Sequence, residues 1–220
     1  MILSSSCCLR QLWLFSALAS SFLSETIFTN RHVAEAFPQA VFVSSEGEMY
    51  LPQMSHVANR QTRPDLAFYV PPQEMDTIPG LPLATKEPQP GDFLLVVGNN
   101  SQKPLFYPSV TEVVEITPRS WLTNLSVVLS VIYSAFSSES VLVDEGAQKA
   151  DRYRLHGDVA GGNSGSPVVN CAGEVVGVLY GRQTIYWFAE ENVGGAVTLP
   201  DLRQELEELP AKDGQMPPLT

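Results

Sequence analysis

Residues 157–170 read GDVAGGNSGSPVVN, with four glycines around two serines before the apolar pair Val168-Val169. Ser164 sits between Asn163 and Gly165, in the part of the run where glycine frees the backbone most. Two readings compete. One is a tight turn between two strands. The other is a nucleophile whose neighbouring amides must approach a substrate closely, which glycines permit because they carry no Cβ.

A serine hydroxyl is a weak nucleophile, so it needs a base, and the base needs an orienting acid. All three histidines, His32, His56 and His156, precede Ser164. The α/β-hydrolase order puts histidine last, and its GxSxG elbow needs glycine where this chain has Ser166. The order that remains is His, Asp, Ser. His32 lies in TNRHVA, residues 29–34, just after the apolar Thr26-Ile27-Phe28. A strand end entering a helical turn is a good place to hold an imidazole. Asp65 lies in RPDLAFYV, residues 63–70, directly before an apolar strand. There a carboxylate can be partly buried and still accept an imidazole N–H. Either residue alone also fits a structural role, the aspartate as a turn residue above all.

In that order, TNRHV, DLAFYV and GNSGSPVVN resemble the three catalytic motifs of trypsin-like serine proteases. The nearest likeness is to the bacterial branch, the HtrA-type proteases and staphylococcal-type glutamyl endopeptidases. It runs from about Ser20 to about Leu209. Glu174–Val178 resembles the strand after the nucleophile loop, and GGAVTLP, residues 194–200, the last strand leading into a terminal helix. The resemblance implies an all-β fold, a double antiparallel β-barrel with a C-terminal α-helix and the active site between the barrels. It implies His32 as general base and then acid, Asp65 as orienter and Ser164 as nucleophile. The backbone N–H groups of Gly162 and Ser164 would form the oxyanion hole. Polypeptide substrates follow, with no cofactor and no metal. The alternative is a catalytically inactive module of the same fold that binds partners or acts as a chaperone-like clamp.

Departures from the digestive enzymes bear on activation and specificity. Asn163 replaces the aspartate that pairs with a freed N-terminus there, so activation by N-terminal cleavage is not implied. Val33 replaces the cysteine that usually follows the histidine. Asp158, six residues before the nucleophile, matches the base of the trypsin-like specificity pocket and implies Lys or Arg before the cut. A loop carboxylate pointing to solvent is the other reading. Leu179, Tyr180 and Gly181 are expected to line the substrate cleft. Their strand has no histidine of the kind glutamyl endopeptidases use, so Glu specificity is not expected.

Composition is consistent with a folded enzyme. The chain has 220 residues, 44% apolar and 17% charged, enough to bury a sizeable core. A net charge of −11 disfavours nucleic acid as a partner. Cys7, Cys8 and Cys171 make no disulfide framework or CxxC metal pattern, and the scattered histidines suggest no zinc site. Leu12–Leu23 is an apolar run of signal-peptide length with Ala17-Leu18-Ala19 as a cleavage site, too short for a membrane span. Residues 1–19 are therefore either a signal peptide, which would make the protein secreted or periplasmic, or the first barrel strand of a cytoplasmic one.

Short runs rich in Val, Ile, Phe and Tyr predict strands near 40–43, 66–70, 93–97, 110–116, 127–133, 141–143, 168–169 and 175–180. PDLRQELEEL, residues 200–209, predicts one helix with Leu202, Leu206 and Leu209 on one face. The protease domain spans 20–210, the Pro-rich segment 78–91 joins its halves, and 211–220 reads as a frayed tail. No PDZ-like domain is expected after residue 209. His56 is expected on a surface loop and His156 on the wall leading to the active-site loop.

Overall fold

The computed structural model describes residues 21–23, 26–37, 41–43, 48–58, 64–75, 80–99, 107–117, 152–182 and 192–209. Its first half holds β1 (Ser21–Leu23), β2 (Thr26–Thr29), α1 (Arg31–Ala36), β3 (Phe42–Val43), β4 (Met49–Tyr50), β5 (Gln53–Val57) and β6 (Ala67–Val70). Among the described residues these make an antiparallel sheet in the order β1-β2-β6-β5 and a two-stranded β3-β4 ribbon. The second half is a closed six-stranded barrel. Its strands are β7 (Phe93–Gly98), β8 (Tyr107–Thr117), β9 (Arg152–Gly157), β10 (Pro167–Val169), β11 (Val175–Arg182) and β12 (Val193–Val197), ordered β10-β11-β12-β9-β8-β7. The expected barrel closure is thus seen in the second half, while the described part of the first half is a sheet and a ribbon.

Side-chain alternation explains which strand faces what. In β8, Ser109, Thr111 and Val113 point inward, while Val110, Glu112 and Val114 point outward. β11 instead is buried on both faces. Val176 and Leu179 pack inside the barrel with Tyr153, Leu155 and Ala196. Val178 and Tyr180 pack with Phe28, Leu66 and Phe68 of the first half. A strand with two buried faces needs apolar residues at every position, which is why VVGVLY reads as an unbroken run.

The linker lies along the barrel. Leu83 forms a single parallel bridge to Val175, with the Ala84 N–H on the Val175 carbonyl at 2.9 Å and the Val175 N–H on the Pro82 carbonyl at 2.8 Å. A second helix, α2 (Leu199–Glu207), closes the fold. Thr198 caps it by accepting from the Asp201 N–H, and Pro200 sits in its first turn. Leu202 is fully buried, with Leu206 and Leu209 against the same cluster. Helix and linker are tied together twice. Arg203 donates to the Ala84 carbonyl. The Tyr153 hydroxyl donates to Glu87 at 3.0 Å and accepts the Leu199 N–H at 3.0 Å. Burial pushes that hydroxyl's pKa well up, so it stays protonated and serves both neighbours.

One sequence expectation is corrected. His56 is not on a surface loop. It lies on β5, partly buried, with Nε2 3.9 Å from Glu205 Oε2 on α2. A five-residue strand with mostly exposed side chains carries little apolar pattern, so it reads as a loop. Of the apolar run 12–23, only residues 21–23 are described, and they form β1 paired to β2. The strands expected at 127–133 and 141–143 and the tail at 211–220 lie outside the described residues.

Candidate active site

Strand pairing brings the histidine and aspartate motifs together. β2 and β6 run antiparallel with Ile27 opposite Tyr69, Phe28 opposite Phe68 and Thr29 opposite Ala67. The residues leaving β2 and those entering β6 therefore meet at one end of the sheet. Asn30, fully buried in extended conformation, donates its side-chain amide to the Asp65 carbonyl at 3.0 Å. Two residues on, His32 donates its backbone N–H to Asp65 Oδ1 at 3.1 Å. Its ring Nδ1 is 2.5 Å from Asp65 Oδ2. A carboxylate only accepts, so Nδ1 carries the proton in this contact. The Asp65 side chain is 5% exposed and that of His32 is 51% exposed, so the carboxylate is shielded while the imidazole reaches solvent.

Ser164 comes from the barrel. Its loop leaves β9 through Asp158 and returns into β10. Gly162 and Gly165 both have positive φ, +94° and +85°, conformations that side chains with a Cβ resist. The loop is fastened to β11 by the Gly165 N–H on the Leu179 carbonyl, 2.7 Å, and the Leu179 N–H on the Ser166 carbonyl, 2.9 Å. Asn163 and Ser166 are buried beneath it. The Ser164 hydroxyl donates to the Tyr180 carbonyl at 3.4 Å. No described acceptor takes the N–H of Gly162 or Ser164.

Tyr180 links the two groups. Its side chain packs with Phe28, Leu66 and Phe68, the neighbours of His32 and Asp65 in sequence or across strands, while its carbonyl holds Ser164. Ser164 and His32 thus come from the two halves that this apolar cluster joins. Of the expected cleft residues, Leu179 and Tyr180 are buried, and Gly181, at φ +138°, faces Ser164 with its Cβ position 3.6 Å from Oγ. Asp158 is exposed at the bend after β9. Its neighbour Val159 is buried against Gly194 and Leu179. His156 is exposed near the end of β9, on the approach to the loop.

Two contributors escape sequence reading. Arg31 reaches Asp65 from behind, with Nη2 3.7 Å from Oδ1. Gly98 at the end of β7 backs the Ser164 loop. A Cβ there would stand 1.8 Å from Ser166 Oγ and 3.2 Å from Asn163 Oδ1. Nothing near Gly98 in sequence signals a partner nearly seventy positions away. Gly98→Ala is expected to displace the loop, slowing turnover by roughly tenfold or more and lowering stability by about 1–3 kcal/mol. Unchanged kinetics and melting in that variant would remove Gly98 from the loop's support.

A closed antiparallel barrel packed against a second sheet, with the serine loop on one and the histidine and aspartate on the other, is an arrangement of the trypsin-like peptidase class. The family model of the trypsin-like peptidase domain matches residues 18–178. That is more than half of the chain and includes all three motifs, and the chain belongs to this family. Solved structures share its fold at low identity. The active form of the Rv3671c protease from M. tuberculosis is 18% identical, with 87% of this chain and 72% of that one covered and a TM-score of 0.63. Its inactive form is 17% identical over 87% and 82%, with a TM-score of 0.62. The HtrA-type protease AlgW, solved with a decapeptide, is 18% identical over 86% of this chain and 51% of that one, with a TM-score of 0.61. No curated protein matches the chain.

Proposed function

We propose that this protein hydrolyses peptide bonds through His32, Asp65 and Ser164 by an acyl-enzyme intermediate. The observation that supports it most is the 2.5 Å contact of a buried carboxylate with His32 Nδ1, on a ring otherwise half exposed. In the forward step Ser164 Oγ leaves the Tyr180 carbonyl, passes its proton to His32 Nε2 and attacks the substrate carbonyl carbon. The resulting oxyanion is stabilised by the N–H groups of Gly162 and Ser164, each donor worth about 3–4 kcal/mol of barrier in such sites. His32 then protonates the leaving amine. Water, deprotonated by the same ring, releases the acyl group and restores Ser164. The test is reaction of the purified protein with a fluorophosphonate probe, the adduct mapped by mass spectrometry. A single adduct on Ser164 supports the reading. A folded wild type that never reacts favours the inactive binding module.

Primary specificity follows from Asp158. Its position before the nucleophile loop, exposed at the mouth of β9, supports recognition of a cationic side chain. Cleavage of a peptide library is expected to favour Lys or Arg before the cut, and Asp158→Ala to lower kcat/KM for those substrates by roughly tenfold or more. A preference for small apolar residues, unaltered in Asp158→Ala, would transfer specificity to Val159, Leu179 and Gly194.

A further inference from the structure

Arg31 stands between the buried Asn30 and His32, and is itself 4% exposed. Its Nη1 donates to the carbonyls of Ala58 and Pro64, each at 3.3 Å. These residues flank segment 59–63 on either side. Nη2 is 3.7 Å from Asp65 Oδ1, and Nε is 4.0 Å from Glu35 Oε1 at the exposed edge of α1. A guanidinium taken out of water is costly unless it is paired and hydrogen-bonded. Here the pairing falls on the one carboxylate that orients the base.

We propose that Arg31 is a positioning residue for catalysis, holding Asp65 in register with the His32 ring. This rests on the reading of His32, Asp65 and Ser164 given above. The two oxygens of Asp65 have different tasks. Oδ2 faces the ring nitrogen, while Oδ1 takes the His32 N–H and the Arg31 charge. Rotation of the carboxylate breaks both contacts at Oδ1 together. The same guanidinium ties Ala58 and Pro64, so the backbone that presents Asp65 is held by the group that holds its side chain. Adjacent residues of α1 thus supply both base and brace. Lysine keeps the charge but presents a compact ammonium instead of a planar fork, so it cannot span two carbonyls and a carboxylate with the same geometry.

The test is a double-substitution cycle on the full chain, Arg31→Lys against Asp65→Asn. The rate of fluorophosphonate labelling at Ser164 is read per folded molecule, the folded fraction being taken from circular dichroism. Arg31→Lys is expected to slow labelling by roughly tenfold to a hundredfold, with Arg31→Gln slower still. In the Asp65→Asn background the same changes are expected to have almost no further effect, because Arg31 acts through Asp65. A second readout is the low-field proton resonance of His32 Nδ1, expected in the wild type and shifted or broadened in Arg31→Lys. Wild-type labelling by a folded Arg31→Lys or Arg31→Gln overturns the proposal, as does an equal loss in both backgrounds. Failure of both variants to fold overturns it too, making Arg31 a residue of the fold first. A wild type that shows the Nδ1 proton, altered in Arg31→Lys, but no labelling at Ser164 sinks the triad and leaves the brace on Asp65 standing.

Discussion

Ser164→Ala is expected to abolish fluorophosphonate labelling and to lower kcat for peptide hydrolysis by roughly a million-fold, the scale seen when a nucleophile is removed from such a triad. The Ser164 side chain makes one hydrogen bond, 3.4 Å long, to the Tyr180 carbonyl, and its loop is held by the backbone bonds of Gly165, Ser166 and Leu179. Losing the hydroxyl therefore leaves the loop in place, and melting is expected to change by less than about 1 kcal/mol. Activity and stability should separate cleanly. Undiminished labelling of the variant at another serine would mean that Ser164 is not the nucleophile.

Asp65→Asn is expected to lower kcat by roughly 10⁴-fold with KM little changed. The carboxamide is nearly the same size, so the end of the sheet can still close. What changes is the proton. With an N–H of the amide facing Nδ1, the ring must accept there, and Nε2 then carries hydrogen and cannot take one from Ser164. Arg31 also loses its anion at Oδ1, leaving a buried guanidinium with only the two carbonyls and the edge contact to Glu35. A stability loss accompanies the kinetic one, and comparison with the Arg31 variants separates them. A decrease below tenfold would show that His32 is oriented by something other than Asp65.

The Ser164 loop is legible in the sequence because its backbone requirement is local. Gly162 and Gly165 sit where positive φ is required, and glycine at such positions leaves a mark in the letters. β11 and α2 are legible because burial on both faces, or along one stripe, repeats over enough residues to form a pattern. β5 is not, since only one of its five side chains is even partly buried. Arg31 and Gly98 are invisible for a different reason. Each matters through contacts with residues tens of positions away, Arg31 with Ala58, Pro64 and Asp65, Gly98 with Asn163 and Ser166. Only the register of β2 on β6, and of β7 on β10, brings those partners near. A charged residue before a histidine reads in isolation as a solvated side chain, and its burial is a property of the sheet.

The packing of Tyr180 and Val178 against Phe28, Leu66 and Phe68 has a bearing on how the molecule fails. The two banks of the cleft are not separate bodies that swing on the linker, since one continuous apolar cluster crosses between them. Opening the cleft by even a side chain's width would wet that cluster. Heat is therefore expected to produce no stage in which the barrel survives while the His32 sheet has melted. Enzyme activity, near-ultraviolet dichroism and far-ultraviolet dichroism should vanish over one temperature interval, and a partly digested, half-folded remnant should not accumulate.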